Sequence, residues 1–437
     1  MNKIFYLLIF LIILNGCSSN DSKLWPLSKK ENAKNIKEEK EIIEQIFKKE
    51  KIVTTELNPN LLFKPTKNEQ YTVLDQYLYN NFGKIDFNNE FKKQIKFKFK
   101  KIKKFYQYES EISFNKKNLI FFQKKGTIFK IDENFKVLWK KNYYTKNEKK
   151  LEPILQFTNQ EKFLIVTDNI AKYYMLDLET GELIWSKNSS APFNSQIKIV
   201  KDKFLVIDLS NTLRCFSLKN GKEIWNIKTQ NSLIRSQKRL SLVVIDSIIY
   251  FNNSIGDISA VDLNKGELIW QLPTQNSLIY ESSFSLETSD IVSDGKQLFF
   301  SNNKNQLFSL DLSTGSFNWQ TKINSNLRPS LIGDTLITIS SEGYLFLIDK
   351  LKGNIIRVTD VFNVFKSKKR DLIKPTGFII GGNSLFLTTN DGKLLVIDIT
   401  SGKTVSVIKI DNKKILKPLI SNNNLFVARD NAIIKFY

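Results

Sequence analysis

The chain has 437 residues, 41% of them hydrophobic and 12% aromatic, with 33 phenylalanines. That supply fills a large core and excludes a disordered composition. Histidine is absent and cysteine occurs twice, as Cys17 and Cys215, so histidine-based acid/base or nucleophile chemistry, histidine metal ligands and a disulfide framework are all excluded. The formal charge of +22 comes from lysines spread along the whole chain, which reads as a solvated basic surface rather than a nucleic-acid site.

Lys3 precedes an apolar run from Ile4 to Leu14. Eleven residues are too short for a membrane-spanning helix but suit the apolar region of a secretory signal. The run ends in Leu14-Asn15-Gly16-Cys17-Ser18-Ser19. Residues 17–94 read as a tether. Within it, Ile36, Ile42, Ile43, Ile46 and Phe47 have spacing for a short amphipathic helix, and Asn58-Pro59-Asn60 is a break.

From about residue 118 one hairpin recurs eight times. Its first strands include Leu119-Ile120-Phe121-Phe122, Phe163-Leu164-Ile165-Val166 and Leu385-Phe386-Leu387-Thr388, and turns such as Asp168-Asn169 and Asp391-Gly392 follow. β-branched and aromatic residues favour strands, and Gly, Asn and Asp accept the positive φ of tight hairpins. A phrase then closes most copies, as in Asp177-Leu178-Glu179-Thr180-Gly181-Glu182-Leu183-Ile184-Trp185. Trp139, Trp185, Trp225, Trp270 and Trp319 share one position in it, and Arg357 and Ser406 replace tryptophan in the next two copies.

The strand-end residues Asp132, Asp177, Ser217, Asp262, Asp311, Asp349, Asp398 and Tyr437 lie 38 to 49 residues apart. That is the length of one four-stranded propeller blade. The expected fold is all-β: an eight-bladed β-propeller of four-stranded antiparallel blades over residues 95–437. The eighth copy ends at the C-terminus without a third strand. Ile95–Ile102 is an orphan strand upstream, so an N-terminal strand pairing with the C-terminal blade is expected to close the ring.

The phrase Asp-Leu-x-Thr-Gly-x-x-x-Trp resembles the repeat of pyrroloquinoline-quinone-type propellers. That group includes quinoprotein alcohol dehydrogenases and BamB-like lipoproteins of the outer-membrane β-barrel assembly machine. Residues 14–19 resemble a lipobox, which implies a signal peptide over 1–16, lipid attachment at Cys17 and a periplasmic anchor in the outer membrane. Lipoprotein character, blade number and chain length favour the BamB-like branch. The adjacent Cys-Cys pair of the dehydrogenases has no counterpart here. The resemblance implies a non-catalytic scaffold without cofactor or metal, whose partners are a BamA-like protein and unfolded β-barrel clients. By the same resemblance, Leu233, Ile234 and Arg235 lie in the partner-binding loop after the third blade, where Ile234 and Arg235 fit its Leu-x-Leu-Arg motif and Ser232 departs from the first Leu, and Glu287 retains one acid of a second loop. The alternatives are a quinone-dependent oxidoreductase and an envelope-binding propeller that uses its basic surface.

Overall fold

The computed structural model describes residues 55–65, 73–91, 93–230, 238–274 and 286–437. Residues 52–437 form one compact unit. Eight antiparallel sheets carry the fold, each led by the same logic of sequence. An inner strand of two to seven residues is followed by two apolar strands and an outer strand that is half solvated. In blade 2 these are Leu155–Gln160, Phe163–Asp168, Lys172–Asp177 and Leu183–Asn188. The two middle strands are buried almost throughout, as a sheet packed on both faces requires. Leu119, Leu164, Phe204, Ile249, Leu298, Leu336, Leu385 and Leu425 hold the same place in blades 1 to 8, and each is 0% exposed.

The recurring phrase joins each blade to the next. Its aspartate accepts from the turn: Asp177 Oδ1 takes the backbone N–H groups of Glu179 and Thr180 and the Thr180 hydroxyl at 2.7–3.0 Å. Gly181 follows at φ 72°, and a Cβ there would lie 2.8 Å from the ring of Trp139 in the preceding blade. Only glycine combines that backbone angle with that approach. The tryptophan ring lies on the glycine, and its Nε1 donates to the carbonyl of the residue after the aspartate. Trp139 donates to Leu178 at 3.3 Å, Trp185 to Leu218 at 2.9 Å and Trp225 to Leu263 at 3.1 Å. Trp270 donates to Leu312 at 3.0 Å and Trp319 to Lys350 at 3.0 Å. A β-bulge just before this position, as between Leu183 and Trp185, aims each ring at the neighbouring blade.

Where the tryptophan is missing, a different donor takes over. Arg357 Nη2 donates to Ile399 at 3.1 Å, the carbonyl equivalent to Leu178, and its guanidinium lies against Gly402. Between blades 8 and 1, Lys435 Nζ donates to the Glu133 carbonyl at 2.8 Å.

Blade 8 contains Leu419–Ser421, Asn424–Arg429 and Ala432–Phe436, and its fourth strand is Gln94–Lys98. That strand runs antiparallel to Ala432–Phe436, with Gln94 opposite Phe436 and Lys98 opposite Ala432. Blades 8 and 1 share one hydrophobic cluster, in which Phe114 meets Phe426 at 5.2 Å.

The segment expected as a free tether is partly built into the propeller. Leu57 bridges Val358 on the outer strand of blade 6, Phe63 N donates to Thr400 O at 2.8 Å, and Lys84–Ile85 pairs in parallel with Ile380–Gly381 on blade 7. The physical reason is the number of unpaired backbone and polar groups on the inner and outer edges of the blades, which this segment satisfies. The expected helix around residues 36–47 lies outside the described residues.

Candidate functional site at the propeller axis

The inner strands converge on the axis, and the segment 73–85 crosses it. A short helix, α1 (Val73–Tyr79), leads into Asn80-Asn81-Phe82-Gly83. The Tyr77 hydroxyl shares a hydrogen with Thr158 Oγ1 at 2.8 Å and donates to Ile197 O at 2.8 Å. Burial raises its pKa to about 12, against the opposing pull of those bonds. Asn80 Nδ2 lies within 2.9–3.1 Å of Gln196 Oε1, Ser241 Oγ, Leu242 O and Ile291 O. Asn81 Oδ1 accepts from Gly83 N, and Ser330 Oγ donates to Gly83 O at 3.1 Å. Blades 2 through 7 thus all hold the same thirteen-residue segment, through their own inner strands.

A layer of paired charges lies beside this plug. Glu111, Arg239, Asp290, Arg328 and Lys417 each sit two or three residues before an inner strand, on blades 1, 4, 5, 6 and 8. Glu111 is bonded by both Arg239 and Lys417. Asp290 is 3.8 Å from Arg239, 3.5 Å from Lys417 and 4.0 Å from Arg328. Burial by itself would raise both carboxyl groups. The three cations overcome it, holding Glu111 well below the usual carboxylate range and Asp290 at about 2. The Arg328 guanidinium also covers the Phe82 ring of the plug at 4.5 Å.

Lys198 is the remaining cation at the axis. It is 3% exposed, donates to Tyr77 O and to Asn80 Oδ1 at 2.8 Å, and lies 4.4 Å above the Tyr77 ring. Burial lowers its pKa to about 7, although Glu111 and Asp290 pull the other way. Lysine amines titrate readily in such surroundings because the charged form loses its hydration.

Beyond the charge layer the axis opens into a cavity of about 310 Å³. Arg328, Lys417 and Asp290 form its floor, and Lys238, Glu287, Asn326 and Lys414 line its rim. Of the sequence-derived candidates, Glu287 is therefore at this mouth. It is exposed, its Oε2 accepts from Asn326, and its backbone is tied to Asn303 at 2.9 and 3.0 Å. Leu233, Ile234, Arg235 and Cys17 lie outside the described residues. The axial charges were missed from sequence. Their only signal is a charged residue at one repeat position, just ahead of strands too short to be noticed.

The profile of the family described as outer membrane protein assembly factor BamB matches residues 124–359, more than half of the chain. The chain belongs to the BamB family. Among solved structures, BamB from Moraxella catarrhalis superposes with a TM-score of 0.63 at 16% identity, covering 80% of this chain and all of that one. The quinohemoprotein alcohol dehydrogenase of Comamonas testosteroni gives 0.58 at 10% identity, covering 84% and 78%. These identities show a shared fold, with BamB and dehydrogenase propellers alike. In sequence, the chain is 25% identical over 332 residues to the uncharacterized protein RP232 of Rickettsia prowazekii, spanning 70% of this chain and 76% of the relative.

The dehydrogenase likeness raises the question of a quinone and its metal. The axial residues do not fit them. Among the described residues no three Cys, Asp or Glu groups converge to hold a metal. Glu111 and Asp290 are spent on their own cations, and Cys215 is buried inside blade 3 with its thiol pushed up to about 12 by burial.

Proposed function

We propose that this protein is a non-catalytic scaffold of the outer-membrane β-barrel assembly machinery, held at the periplasmic face of the outer membrane by a lipid on Cys17. In this reading it grips a BamA-like partner and aids the insertion of unfolded β-barrel clients. Membership of the BamB family supports the role.

The observation that carries the non-catalytic part is the filled axis. Propeller enzymes need convergent, unspent polar groups where the inner strands meet. Here that place holds the chain's own Tyr77–Ile85 segment and a layer in which Arg239, Arg328 and Lys417 are paired to Glu111 and Asp290. A rigid disc whose axis is plugged by its own chain is suited to binding through its rim and loops. Glu287, exposed at the mouth, and the 233–235 loop are the proposed contacts.

The test is co-purification from solubilised outer membranes, with wild type against Arg235→Glu and Glu287→Lys. The reading expects a barrel-assembly subunit to be retained by the wild type and lost in at least one variant. Retention of no such subunit by the wild type would sink it.

A further inference from the structure

Part of the positive charge that looks diffuse in the sequence lines one edge of the propeller. The outer strand of blade 8, Gln94–Lys98, is followed by an irregular stretch that turns at Lys103 and Lys104. Ile95, Phe97 and Phe99 turn toward blade 1, where Phe97 meets Phe129 at 4.9 Å and Phe99 meets Phe121 at 5.8 Å. Lys96, Lys98 and Lys100 turn the other way and are exposed, as are Lys101, Lys103 and Lys104 after them. Alternate residues of a strand stand about 7 Å apart, so the lysines form an evenly spaced row.

This row has few internal partners. Lys101 reaches Asp430 at 3.3 Å, and Lys103 shares Glu152 with Lys124 at 3.4 and 3.6 Å. Among the described residues, Lys96, Lys98, Lys100 and Lys104 have no carboxylate partner. Lys96 is further disfavoured in its charged form, by partial burial first and then by Arg429 and Lys98 beside it. Outer strands of other blades are different. They expose aliphatic side chains such as Ile184, Ile224 and Val405, and in blade 3 the outer strand also carries Glu223, which pairs with Arg214.

We propose that this lysine edge is a docking surface for the phosphate headgroups of an anionic phospholipid bilayer. Lysine offers mobile point charges on long stems, which suit a fluid array of phosphates better than the fixed fork of arginine. A cluster of this size adjoining a membrane is attracted by the surface potential over a Debye length. The aromatic rings of the strand face inward, so the exposed side offers no stacking platform for single-stranded nucleic acid. The proposal stands independently of the scaffold reading and of the lipid on Cys17.

The experiment uses the full-length chain carrying Cys17→Ala, so that no acyl group contributes, in cosedimentation with vesicles. Vesicles of phosphatidylglycerol mixed with phosphatidylcholine are compared with phosphatidylcholine alone. Binding to the anionic vesicles is expected, falling at least about tenfold between roughly 0.1 M and 1 M salt. The variant Lys96→Glu/Lys98→Glu/Lys100→Glu is expected to lose a similar factor. Lys219→Glu/Lys222→Glu/Lys265→Glu, with the same net charge, is expected to stay within about twofold of wild type. If the first variant fails to fold by circular dichroism, glutamine at the same three positions replaces it. No preference for anionic vesicles, equal loss in both triple variants, or tighter binding to a single-stranded oligonucleotide than to vesicles would overturn the proposal.

Discussion

Arg357 donates through Nη2 to the carbonyl of Ile399 at 3.1 Å, in the place where five other blades use a tryptophan. The same guanidinium donates through Nη1 to Leu61 O at 2.8 Å and Thr400 O at 2.5 Å. One substitution in the repeat thus does two jobs. It keeps blades 6 and 7 together, and it captures the segment around Leu61, which a tryptophan with its single N–H has no means of reaching.

Arg357→Ala should therefore be costly. It removes the guanidinium donor from the Leu61 and Ile399 carbonyls, leaves Thr400 O with Phe63 N alone, and opens a cavity at a residue that is 0% exposed. Losses of this kind are about 3–5 kcal/mol, read by urea denaturation. Arg357→Trp should keep the contact to Gly402 and lose the bonds to Leu61 and Thr400. Limited proteolysis should then cut within residues 55–65 faster than in the wild type, while the melting temperature changes little.

Gly221→Ala tests the other half of the joint. The residue has φ 64°, and an added Cβ would come 2.7 Å from the Trp185 ring. Strain and overpacking together should cost roughly 2–4 kcal/mol. Trp185 fluorescence gives a second readout. An unshifted emission maximum with undiminished stability would show that the ring does not rest on this glycine.

Asn80 holds the plug by its side chain alone. Asn80→Leu is close in volume and removes the amide that faces Gln196, Ser241, Leu242 and Ile291. The expected loss is about 2–4 kcal/mol, because buried carbonyls are left unpaired. Hydrogen exchange should rise across residues 73–85 and not in the outer strands. Uniform exchange along the whole chain would contradict a local plug.

Lys198 makes the axis sensitive to pH. Its pKa falls from 10.5 to about 7 on folding. Between those two values the unfolded chain binds one proton more than the folded one, so this group's contribution to stability rises as pH rises. Below pH 7 both states hold the proton and the slope vanishes. Measured by urea denaturation from pH 7 to pH 9, the stability of wild type relative to Lys198→Met should rise by roughly 1–2 kcal/mol. A flat or falling difference would mean that the amine keeps its proton in the folded state.

The repeat was readable because packing between blades uses the same residues each time. Gly181, Gly221 and Gly266 with Trp139, Trp185 and Trp225 recur once in each blade, which revealed the repeat, while the seat of each ring on the next blade's glycine is visible only in the structure. The inner strands left no such trace. Val292–Ser293 and Ser330–Ile332 are too short to show alternation, and the charges before them change sign from blade to blade. The plug was illegible for a related reason. Tyr77, Asn80 and Asn81 answer to hydroxyls, amides and backbone groups scattered over five blades, and nothing near them in the chain announces those partners. The substitution at Arg357 was visible, but its second partner, Leu61, lies 296 residues away.

The plug also reverses time. Its bonds to Thr158, Ile197, Leu242, Ile291 and Gly83's partner Ser330 span 81, 120, 162, 211 and 247 residues. Closing loops of that length is rewarded only after the far strands exist. Residues 73–85 leave the ribosome before every strand that receives them, and they take their seat after those strands have formed. A piece of the chain made before any blade is thus expected to find its place after most of them.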